Sequence, residues 1–401
     1  MKKTHIIIGA SAAGIGAVNK LRQLDPESHI ICISDEVESP YNKCMLADYL
    51  SGIKEEQQVY TLTAEQAKQK NITLMLGSRV TQLVPEKKQI VFADGNHQTY
   101  DTLLLGVGTS PIIPTLEGAD RLRGIFTFHR LRDIQSILTY IKSHAVKKAV
   151  VVGSGLSGLE CADALLQFNI DVSIVEMRDQ VLSSLINKTA SSFIEQKMMS
   201  HNIALYVNQK VEKIIDQNGR VGGVGLASGQ LLDADMLVFA VGLKPNIELA
   251  QQAGIALHPQ GILTDDYMCT SIPSIYAAGD IVVVKDQLSG QLVPSRMWPD
   301  AMLQGLVAAC NMALQPRAYP GISSIVSSSF FGIKFVSCGP VLNPSVDCQI
   351  RIHQSDDFYH LFLIADNCLK GFLLVGNTAK MGMLRQAVMT KAPLDIALLF
   401  S

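Results

Sequence analysis

The fold is decided by residues 149–160, which read AVVVGSGLSGLE. Val150 to Val152 form a β-branched run of the kind found in fully buried strands. Glycines follow at positions 153, 155 and 158, before an apolar, helix-compatible segment from Leu159 to Phe168. The spacing G-x-G-x-x-G therefore predicts a strand, a tight turn and a helix in immediate succession.

Each glycine of this turn has its own physical role. Gly153 permits the tight turn, Gly155 lets a pyrophosphate approach the backbone, and Gly158 lets the helix pack on the strand. The helix N-terminus adds N–H groups and positive partial charge, which attract an anion. The predicted dinucleotide-binding turn consists of Gly153, Ser154, Gly155, Leu156, Ser157 and Gly158.

An acid follows the next predicted strand. Val172 to Val175 lead into Glu176, which lies about 20 residues beyond the turn, where a carboxylate can hold a ribose 2′-hydroxyl. Glu176 favours NADH over NADPH, because it would repel the 2′-phosphate of NADPH. An ordinary βαβ unit with a glycine turn is the alternative, but strand, helix and acid together favour a dinucleotide site.

The composition is that of a globular protein with more than one domain. The chain has 401 residues, 48% of them apolar, and a formal net charge of −2. This length predicts two or three domains, and the charge gives no reason to expect nucleic acid or an anionic membrane as a partner. No apolar stretch approaches the roughly 18 residues of a membrane span, and the N-terminus runs directly into a strand. We therefore expect a cytoplasmic protein.

The cysteines and histidines lack metal-binding spacing. The eight cysteines include no C-x-x-C pair, which argues against a zinc ribbon, a cysteine-ligated iron–sulfur cluster or a C-x-x-C redox disulfide. We expect most cysteines to be small hydrophobic residues in reduced cores. His129 and His201 adjoin basic or polar residues, so we expect them to be solvated. The sequence thus predicts no metal site.

Another glycine turn, the first in chain order, follows the first strand of the chain; the turn at residues 153–158 is the second. Residues 5–14 read HIIIGASAAG, with Ser11 in place of the middle glycine, so a small side chain stands where the backbone should meet phosphate. The next predicted strand, His29 to Ser34, leads into Asp35 and Glu36, which supply an acid at ribose distance. The turn consists of Gly9, Ser11, Ala12, Ala13 and Gly14. Two such folds predict two nucleotides.

The chain carries this module twice. Residues 71–108 resemble residues 202–242 in their order of strands and glycine turns. From Gly9 to Asn71 is 62 positions and from Gly153 to Asn202 is 49, so the first copy holds 13 extra residues. They correspond largely to residues 39–52, which read SPYNKCMLADYLSG. We expect redox chemistry at this insertion, because only the first site has it.

Prolines and a change of pattern indicate the domain boundaries. Pro111 and Pro114 mark one crossing between modules, and residues 243–246 mark the return. From Pro316 the pattern changes to short alternating strands and a final helix from Lys380 to Met389. The predicted domains are 1–114 with 242–316, then 115–241, and then a C-terminal α+β domain at 317–401.

Together these motifs resemble the pyridine nucleotide-disulfide oxidoreductases over essentially the whole chain. Residues 270–280, TSIPSIYAAGD, resemble the flavin-binding segment of that family. Residues 101–108 resemble its strand before the interdomain crossing, although Gly106 and Val107 stand where Ala-Thr is usual. The resemblance implies an α/β fold of two Rossmann-like domains in a three-layer, glutathione reductase-like arrangement, with a small C-terminal α+β domain.

The resemblance also implies the cofactors. The first turn would hold the FAD pyrophosphate and the second NADH, with NADPH less favoured. Asp280 would bind the ribityl chain of FAD, and Glu160 would lie where NADH and flavin meet, unless it is only a first-turn acid favoured by the helix dipole. The other implied FAD residues are Asp35, Glu36, Lys43, Val80, Gly106, Gly279 and Trp298. Beyond the second turn, the implied NADH residues are Glu160, Glu176 and Gly242.

Two segments indicate a branch of the family. Residues 41–52 and 298–305 look most like NADH:rubredoxin reductases and the flavoprotein part of assimilatory nitrite reductases. The cluster-binding and sirohaem domains of a complete nitrite reductase are missing, so we expect electrons to leave to a small carrier protein such as rubredoxin. Lys43 and the N-terminus of the helix after Pro299 would stabilise negative charge on reduced flavin. A solvated surface lysine is the alternative for Lys43.

Cys44 supports a different function. NADH oxidases, peroxidases, and coenzyme A-disulfide and persulfide reductases have a cysteine at the corresponding position. A thiolate there could be oxidised or form a mixed disulfide, with Lys43 favouring the charged form, so the substrate would be a small thiol, disulfide, persulfide or peroxide. The flanking sequence favours the carrier branch, and a small packing residue is the alternative for Cys44.

A third function stays open. Resemblance to apoptosis-inducing factor would allow a flavoprotein binding module, in which NADH controls dimerisation or partner docking. The region corresponding to residues 317–401 forms a dimer interface in many relatives, which would make the protein a homodimer. The same apolar residues could equally close a core.

Overall fold

The computed structural model describes residues 2–323, 325–344 and 347–393. The strands in chain order are β1 Thr4–Ile8, β2 His29–Ile33, β3 Ile72–Met75, β4 Val80–Val84, β5 Gln89–Phe92, β6 His97–Thr99, β7 Thr102–Leu105, β8 Thr109–Pro111, β9 Ile125–Thr127, β10 Lys148–Val152, β11 Asp171–Val175, β12 Ala204–Tyr206, β13 Val211–Asp216, β14 Val221–Leu226, β15 Leu231–Asp233, β16 Met236–Phe239, β17 Leu243–Pro245, β18 Leu257–His258, β19 Gly261–Leu263, β20 Ile275–Ala277, β21 Val282–Lys285, β22 Leu292–Pro294, β23 Ile325–Phe330, β24 Ile333–Cys338, β25 Gln349–Gln354, β26 Tyr359–Ala365 and β27 Cys368–Val375. The α-helices are α1 Ala12–Leu24, α2 Leu46–Leu50, α3 Glu56–Val59, α4 Ala64–Gln69, α5 Leu131–Ser143, α6 Leu156–Leu165, α7 Lys188–Ser200, α8 Glu248–Gln252, α9 Trp298–Met312 and α10 Met381–Thr390.

The chain divides into two compact units, each made of two segments. Unit 1 comprises residues 1–110 and 243–322, and unit 2 comprises residues 111–242 and 323–401. The chain therefore crosses between units close to the predicted crossings. The division into three domains stays a prediction.

Unit 1 is built on a parallel sheet with the strand order β20-β7-β1-β2-β3. Strand β1 lies at its centre, and Ile6 and Ile7 are fully buried, as expected for a strand covered on both faces. Helices α1 and α9 pack with their backbones in close approach. A Cβ atom on Gly16 would lie 2.4 Å from the Met302 carbonyl oxygen, and one on Gly305 would lie 1.9 Å from that of Ala13.

Unit 2 repeats this plan. Its parallel sheet has the order β12-β11-β10-β16-β9, with β10 at the centre and Val150 to Val152 buried. Each unit also holds a three-stranded sheet, β4-β5-β6 in unit 1 and β13-β14-β15 in unit 2. The fifth strand differs, because β20 comes late in unit 1 and β9 comes early in unit 2. The α/β fold predicted from the sequence is confirmed.

The C-terminal part of unit 2 is a five-stranded antiparallel sheet in the order β23-β24-β27-β26-β25, with helix α10. Strands β23 and β24 are joined at Phe331 and Gly332, which both adopt positive φ angles, 54° and 75°. The predicted final helix forms one residue later than expected, as Met381–Thr390. This α+β pattern agrees with the sequence.

Several side chains differ from expectation in their burial. Of the described cysteines, four are buried, three are half-buried and Cys44 is exposed. His201 is exposed, but His129 is only 9% exposed, so its predicted solvation was wrong. The reason is the start of α5, where the His129 N–H donates to Asp133 Oδ2 at 3.0 Å and draws this segment against the helix. Within the described ranges, no helix is long and apolar enough to cross a membrane.

Candidate functional site

The turn of unit 2 has two glycines that cannot be replaced and one that faces open space. Gly153 has a φ of +103°, and its Cβ would lie 2.4 Å from the Ala240 carbonyl oxygen. A Cβ on Gly158 would lie 2.0 Å from the Gly153 carbonyl oxygen. Gly155 is the N-cap of α6, and a Cβ there would meet nothing within 4 Å. This open space beside free helix N–H groups fits a phosphate.

Glu176 is held against this turn. It directly follows β11, and its Oε2 accepts hydrogen bonds from the Ser154 N–H at 2.8 Å and the Ser154 hydroxyl at 2.7 Å. Its Oε1 accepts from the Arg178 N–H at 2.8 Å. An ionised carboxylate has about four acceptor positions, so it can still accept from a ribose hydroxyl. The structure thus brings the predicted turn and the predicted acid together.

Two other predicted residues of unit 2 lie on separate elements. Glu160 is in the first half of α6, and its Oε1 accepts from the Ser328 hydroxyl of β23 at 2.8 Å. Gly242 has a φ of +119°, and its carbonyl accepts from the Ile112 N–H at 3.0 Å. Their roles toward NADH stay predictions. Sequence reasoning missed Ser328, whose partner on α6 is 168 residues away.

The turn of unit 1 has the same backbone path despite its serine. Gly9 has a φ of +108°, and its Cβ would lie 2.0 Å from the carbonyl oxygen of Gly106, the residue after β7. A Cβ on Gly14 would lie 1.9 Å from the Gly9 carbonyl oxygen. Ser11 is the N-cap of α1 with φ −93° and ψ −156°, close to the φ −71° and ψ −177° of Gly155. Ser11 therefore leaves the backbone path of the turn unchanged.

The acids of unit 1 lie further beyond the end of the second strand than Glu176 does in unit 2. Ile33 ends β2 beside Ile8, as Val175 ends β11 beside Val152. The next residue is Glu176 in unit 2 but Ser34 in unit 1. Asp35 is exposed and Glu36 is half-buried. The Glu36 carboxylate accepts from the Tyr41 hydroxyl at 2.7 Å, so the insertion contacts the acid region of the first site.

The insertion displays Cys44 on a fixed turn. Lys43–Met45 form a 3₁₀ turn, in which the Asn42 side chain accepts from the Cys44 N–H at 3.0 Å. Helix α2 follows and buries Leu50. The exposed thiol is therefore not a core packing residue.

Two tyrosines anchor the segment that follows this turn. The Tyr49 and Tyr60 hydroxyls donate to the Glu56 carboxylate at 2.9 and 2.5 Å. Burial and the bond to Glu56 raise the pKa of Tyr49 to about 12, so its hydroxyl stays a donor. The Tyr49 bond ties the insertion to α3, and the Tyr60 bond joins the residue after α3 to the same carboxylate; both bonds are charge-assisted.

Asp280 is a half-buried residue whose carboxyl is influenced by two cations, Lys43 and Arg296. It follows Gly279, which has a φ of +87° and whose Cβ would lie 3.2 Å from that of Ala13 in the first turn. Burial raises the pKa of Asp280, while Lys43 and Arg296 act to lower it. Lys43 and Asp280 were both predicted site residues. Arg296 was missed, because its isolated position in a loop offered no spacing signal.

The remaining predicted residues of unit 1 are Trp298 and Val80. Trp298 is half-buried and begins α9, two residues earlier than predicted, because Pro299 fits the first turn of a helix. Val80 is 7% exposed at the start of β4. Their roles toward a flavin stay predictions.

Residues 3–305 match the family model described as pyridine nucleotide-disulphide oxidoreductase. An NADH oxidase of Methanocaldococcus jannaschii is 35% identical over 329 residues, which are 80% of this chain and 73% of that protein. The epsilon subunit of an NADH-dependent phenylglyoxylate dehydrogenase of Aromatoleum evansii is 28% identical over 97% of this chain and 92% of its own. The structure of a NAD-dependent persulfide reductase from A. fulgidus superposes with a TM-score of 0.91 at 25% identity, covering 99% of this chain and 80% of that one.

Proposed function

Since the chain belongs to the pyridine nucleotide-disulphide oxidoreductase family, we propose that it is an FAD-dependent NADH oxidoreductase that passes electrons to a small carrier protein. Membership establishes a flavoprotein oxidoreductase that uses NAD(P)H. The choice of NADH, of FAD and of the acceptor is the proposal. The observation that carries it is the pair of phosphate-binding turns in one chain, of which the second holds its ribose acid, Glu176, in place.

Unit 2 supplies the NADH-binding groups. The N-terminus of α6 binds the pyrophosphate, and the space beside Gly155 lets it approach the backbone. Glu176 accepts a hydrogen bond from the ribose 2′-hydroxyl and repels a 2′-phosphate. Ser154 keeps that carboxylate from turning away, since both its N–H and its hydroxyl donate to one oxygen.

Unit 1 supplies the flavin-binding groups. The chemistry that bound FAD would supply is the acceptance of a hydride from NADH and the release of its electrons singly or in pairs. The N-terminus of α1 binds the FAD pyrophosphate, and Asp280 accepts hydrogen bonds from the ribityl hydroxyls. Lys43 and Arg296 favour the ionised, acceptor-only form of Asp280 against the effect of burial. The positive end of α9 stabilises negative charge on the flavin.

The acceptor is proposed from the relative that matches nearly end to end. That relative is a subunit of a larger dehydrogenase, and it aligns with 97% of this chain, including the C-terminal sheet. By analogy with a subunit that works within a larger enzyme, this chain is proposed to pass electrons to another polypeptide. The exposed Arg296 and half-buried Lys43 suit an acidic carrier such as a rubredoxin.

The test is an anaerobic titration of the purified protein with NADH, followed by mixing with a rubredoxin-like carrier. We expect stoichiometric bleaching of the flavin, and then carrier reduction at a rate that falls as salt concentration rises. The Cys44→Ser variant should behave identically. If NADH bleaches the flavin but no carrier reoxidises it, the proposed acceptor is wrong. The assignment as an NADH oxidoreductase would still stand.

One observation favours a second candidate function. Cys44 is an exposed thiol on a capped turn, next to the cation Lys43. In this alternative the Cys44 thiolate would attack a small disulfide or persulfide, breaking its S–S bond, forming a mixed disulfide or persulfide on Cys44 and releasing the other sulfur as a thiol. Two electrons from NADH, which bound FAD would relay, would then reduce this bond, restore the Cys44 thiol and release the second sulfur as a thiol or sulfide. Cys44→Ser should then abolish turnover of thiol substrates and leave the bleaching of flavin by NADH unchanged. Asn42→Ala, which removes the bond to the Cys44 N–H, is a control that keeps the thiol.

A further inference from the structure

Gln304 is a fully buried amide in the middle of α9, and it makes three hydrogen bonds. Its Oε1 accepts from the Gly279 N–H at 2.7 Å. Its Nε2 donates to the Ser295 hydroxyl at 2.9 Å and to the Tyr319 hydroxyl at 3.3 Å. Gln304 and Ser295 are 0% exposed and Tyr319 is 6% exposed, so water does not compete for these bonds.

Two of the three partners directly precede the charged groups of the flavin site. Gly279 precedes Asp280, and Ser295 precedes Arg296. The Gln304 amide is therefore hydrogen-bonded to the Gly279 N–H, next to Asp280, and to the Ser295 hydroxyl, next to Arg296. Helix α9 holds both loops through a single residue.

We propose that Gln304 is a positioning residue of the flavin site, which fixes the Asp280 carboxylate relative to Arg296 and thereby sets how Asp280 meets the ribityl hydroxyls. This inference rests on the proposed function, because it takes unit 1 to bind FAD. Gln304 acts through Gly279 and Ser295 and does not itself contact the cofactor.

Packing alone does not explain an amide at this position. An apolar side chain of the same size would fill the space without the cost of burying polar atoms. The amide is required because the Gly279 N–H needs an acceptor and cannot move to find another. Gly279 is held at a φ of +87°, with Ala13 and Ala301 3.2 and 3.7 Å from where its Cβ would be.

The test compares FAD release from diluted holoprotein in two glutamine variants. Gln304→Met keeps the side-chain volume and removes all three bonds. The matched control is Gln180→Met, because Gln180 is a buried glutamine of unit 2, 8% exposed, that donates to the Ile186 carbonyl at 2.8 Å. We expect the FAD dissociation constant to rise about tenfold in Gln304→Met and to stay unchanged in Gln180→Met. The flavin reduction potential should shift only in Gln304→Met.

Two further variants keep the test decisive. Gln304→Glu retains an acceptor for the Gly279 N–H, and the Ser295 and Tyr319 hydroxyls can turn to donate to it, so it should recover part of the affinity. Ser295→Ala removes only the bond beside Arg296, and we expect about a threefold rise in the dissociation constant. Ser295→Ala therefore provides the test of the proposal if Gln304→Met does not fold.

The outcomes separate this inference from the proposed function. Wild-type protein that binds no FAD would overturn both. A different result would overturn the positioning role alone. In that case Gln304→Met and Ser295→Ala would keep normal FAD affinity and reduction potential, and their melting temperatures would fall as in Gln180→Met. Gln304 would then be a structural residue.

Discussion

The two glycine turns of this molecule share a backbone and differ in how an acid is placed beside them. Both have a first glycine with a positive φ angle and a last glycine whose Cβ would lie 1.9 or 2.0 Å from the first one's carbonyl oxygen. In unit 2 the acid Glu176 is held by the turn itself, through Ser154. In unit 1 that position is Ser34, and the acid Glu36 is bonded instead to Tyr41 of the insertion.

This difference shows that the backbone of the turn and the placement of its acid are encoded separately. The glycines are fixed by equivalent backbone contacts in both units. The first glycine lies against the carbonyl of the residue after a neighbouring strand, Gly106 or Ala240, and the last glycine lies against the carbonyl of the first. The acid depends on one position after the second strand and on a partner that can come from elsewhere. A duplicated fold could therefore acquire two nucleotide preferences through changes outside its glycine turns.

The largest effect should come from the shared part of the two turns. Gly153→Ala introduces a Cβ 2.4 Å from the Ala240 carbonyl oxygen at a φ of +103°. Strain of about 1–3 kcal/mol, together with displacement of the turn, should raise the KM for NADH about 100-fold. The control is Gly229→Ala, at a φ of +87° in open space, which should leave KM unchanged. If both variants raised the KM for NADH equally, the increase would reflect disturbed folding rather than a change at the turn.

The next effect concerns Glu176, the acid that unit 2 places directly after its second strand. Glu176→Ala removes the ribose acceptor and the charge that repels a 2′-phosphate. We expect the KM for NADH to rise about 30-fold, as for a lost charged hydrogen bond, and the preference for NADH over NADPH to fall about as far. Steady-state kinetics with both nucleotides and an artificial acceptor measures this. Glu212→Ala, an exposed acid on β13, is the control. An unchanged preference would refute the assignment of Glu176.

Much of this comparison was predictable from the sequence, and the rest depended on distant partners. The runs 6–8 and 150–152 predicted two buried strands because β-branched residues repeat without interruption. The glycine spacing predicted both turns, including the tolerated Ser11. The offset between Ser34 and Glu176 was not predicted, because a strand's last residue is set by its pairing partner.

The missed contacts are those between side chains far apart in the chain. Ser328 lies 168 residues from Glu160, and Gln304 lies 25 residues from Gly279. Hydrophobic periodicity places Gln304 on a helix but gives no reason for a buried amide there. Arg296 was missed because an isolated cation in a loop carries no spacing signal. The fold was thus largely predictable, whereas the residues that orient its site were not.

A smaller effect should separate the two ways of holding an acid. Ser154→Ala removes the hydroxyl bond to Glu176 but keeps the N–H bond, so the KM for NADH should rise about fivefold while FAD affinity stays normal. Tyr41→Phe removes the bond to Glu36, so the FAD dissociation constant should rise about fivefold while the KM for NADH stays unchanged. Each variant is the control for the other. If both variants altered both sites, the two acids would not act independently.

The smallest effect is expected where the two turns differ most obviously in sequence. Gly155→Ser copies Ser11 into the second turn, at a position whose φ of −71° suits any residue and where a Cβ meets nothing within 4 Å. The added hydroxymethyl group occupies the rim of the phosphate space, and its hydroxyl can donate to a phosphate oxygen in place of the lost room. We therefore expect the KM for NADH to change by no more than about twofold, since one exchanged hydrogen bond is worth little net free energy. The measurement is the same steady-state assay, with Gly153→Ala as the comparison. A rise in KM as large as that of Gly153→Ala would mean that the second turn requires a residue without a side chain at this position, whereas the first turn does not. The two turns would then bind their phosphates in different ways despite a common backbone.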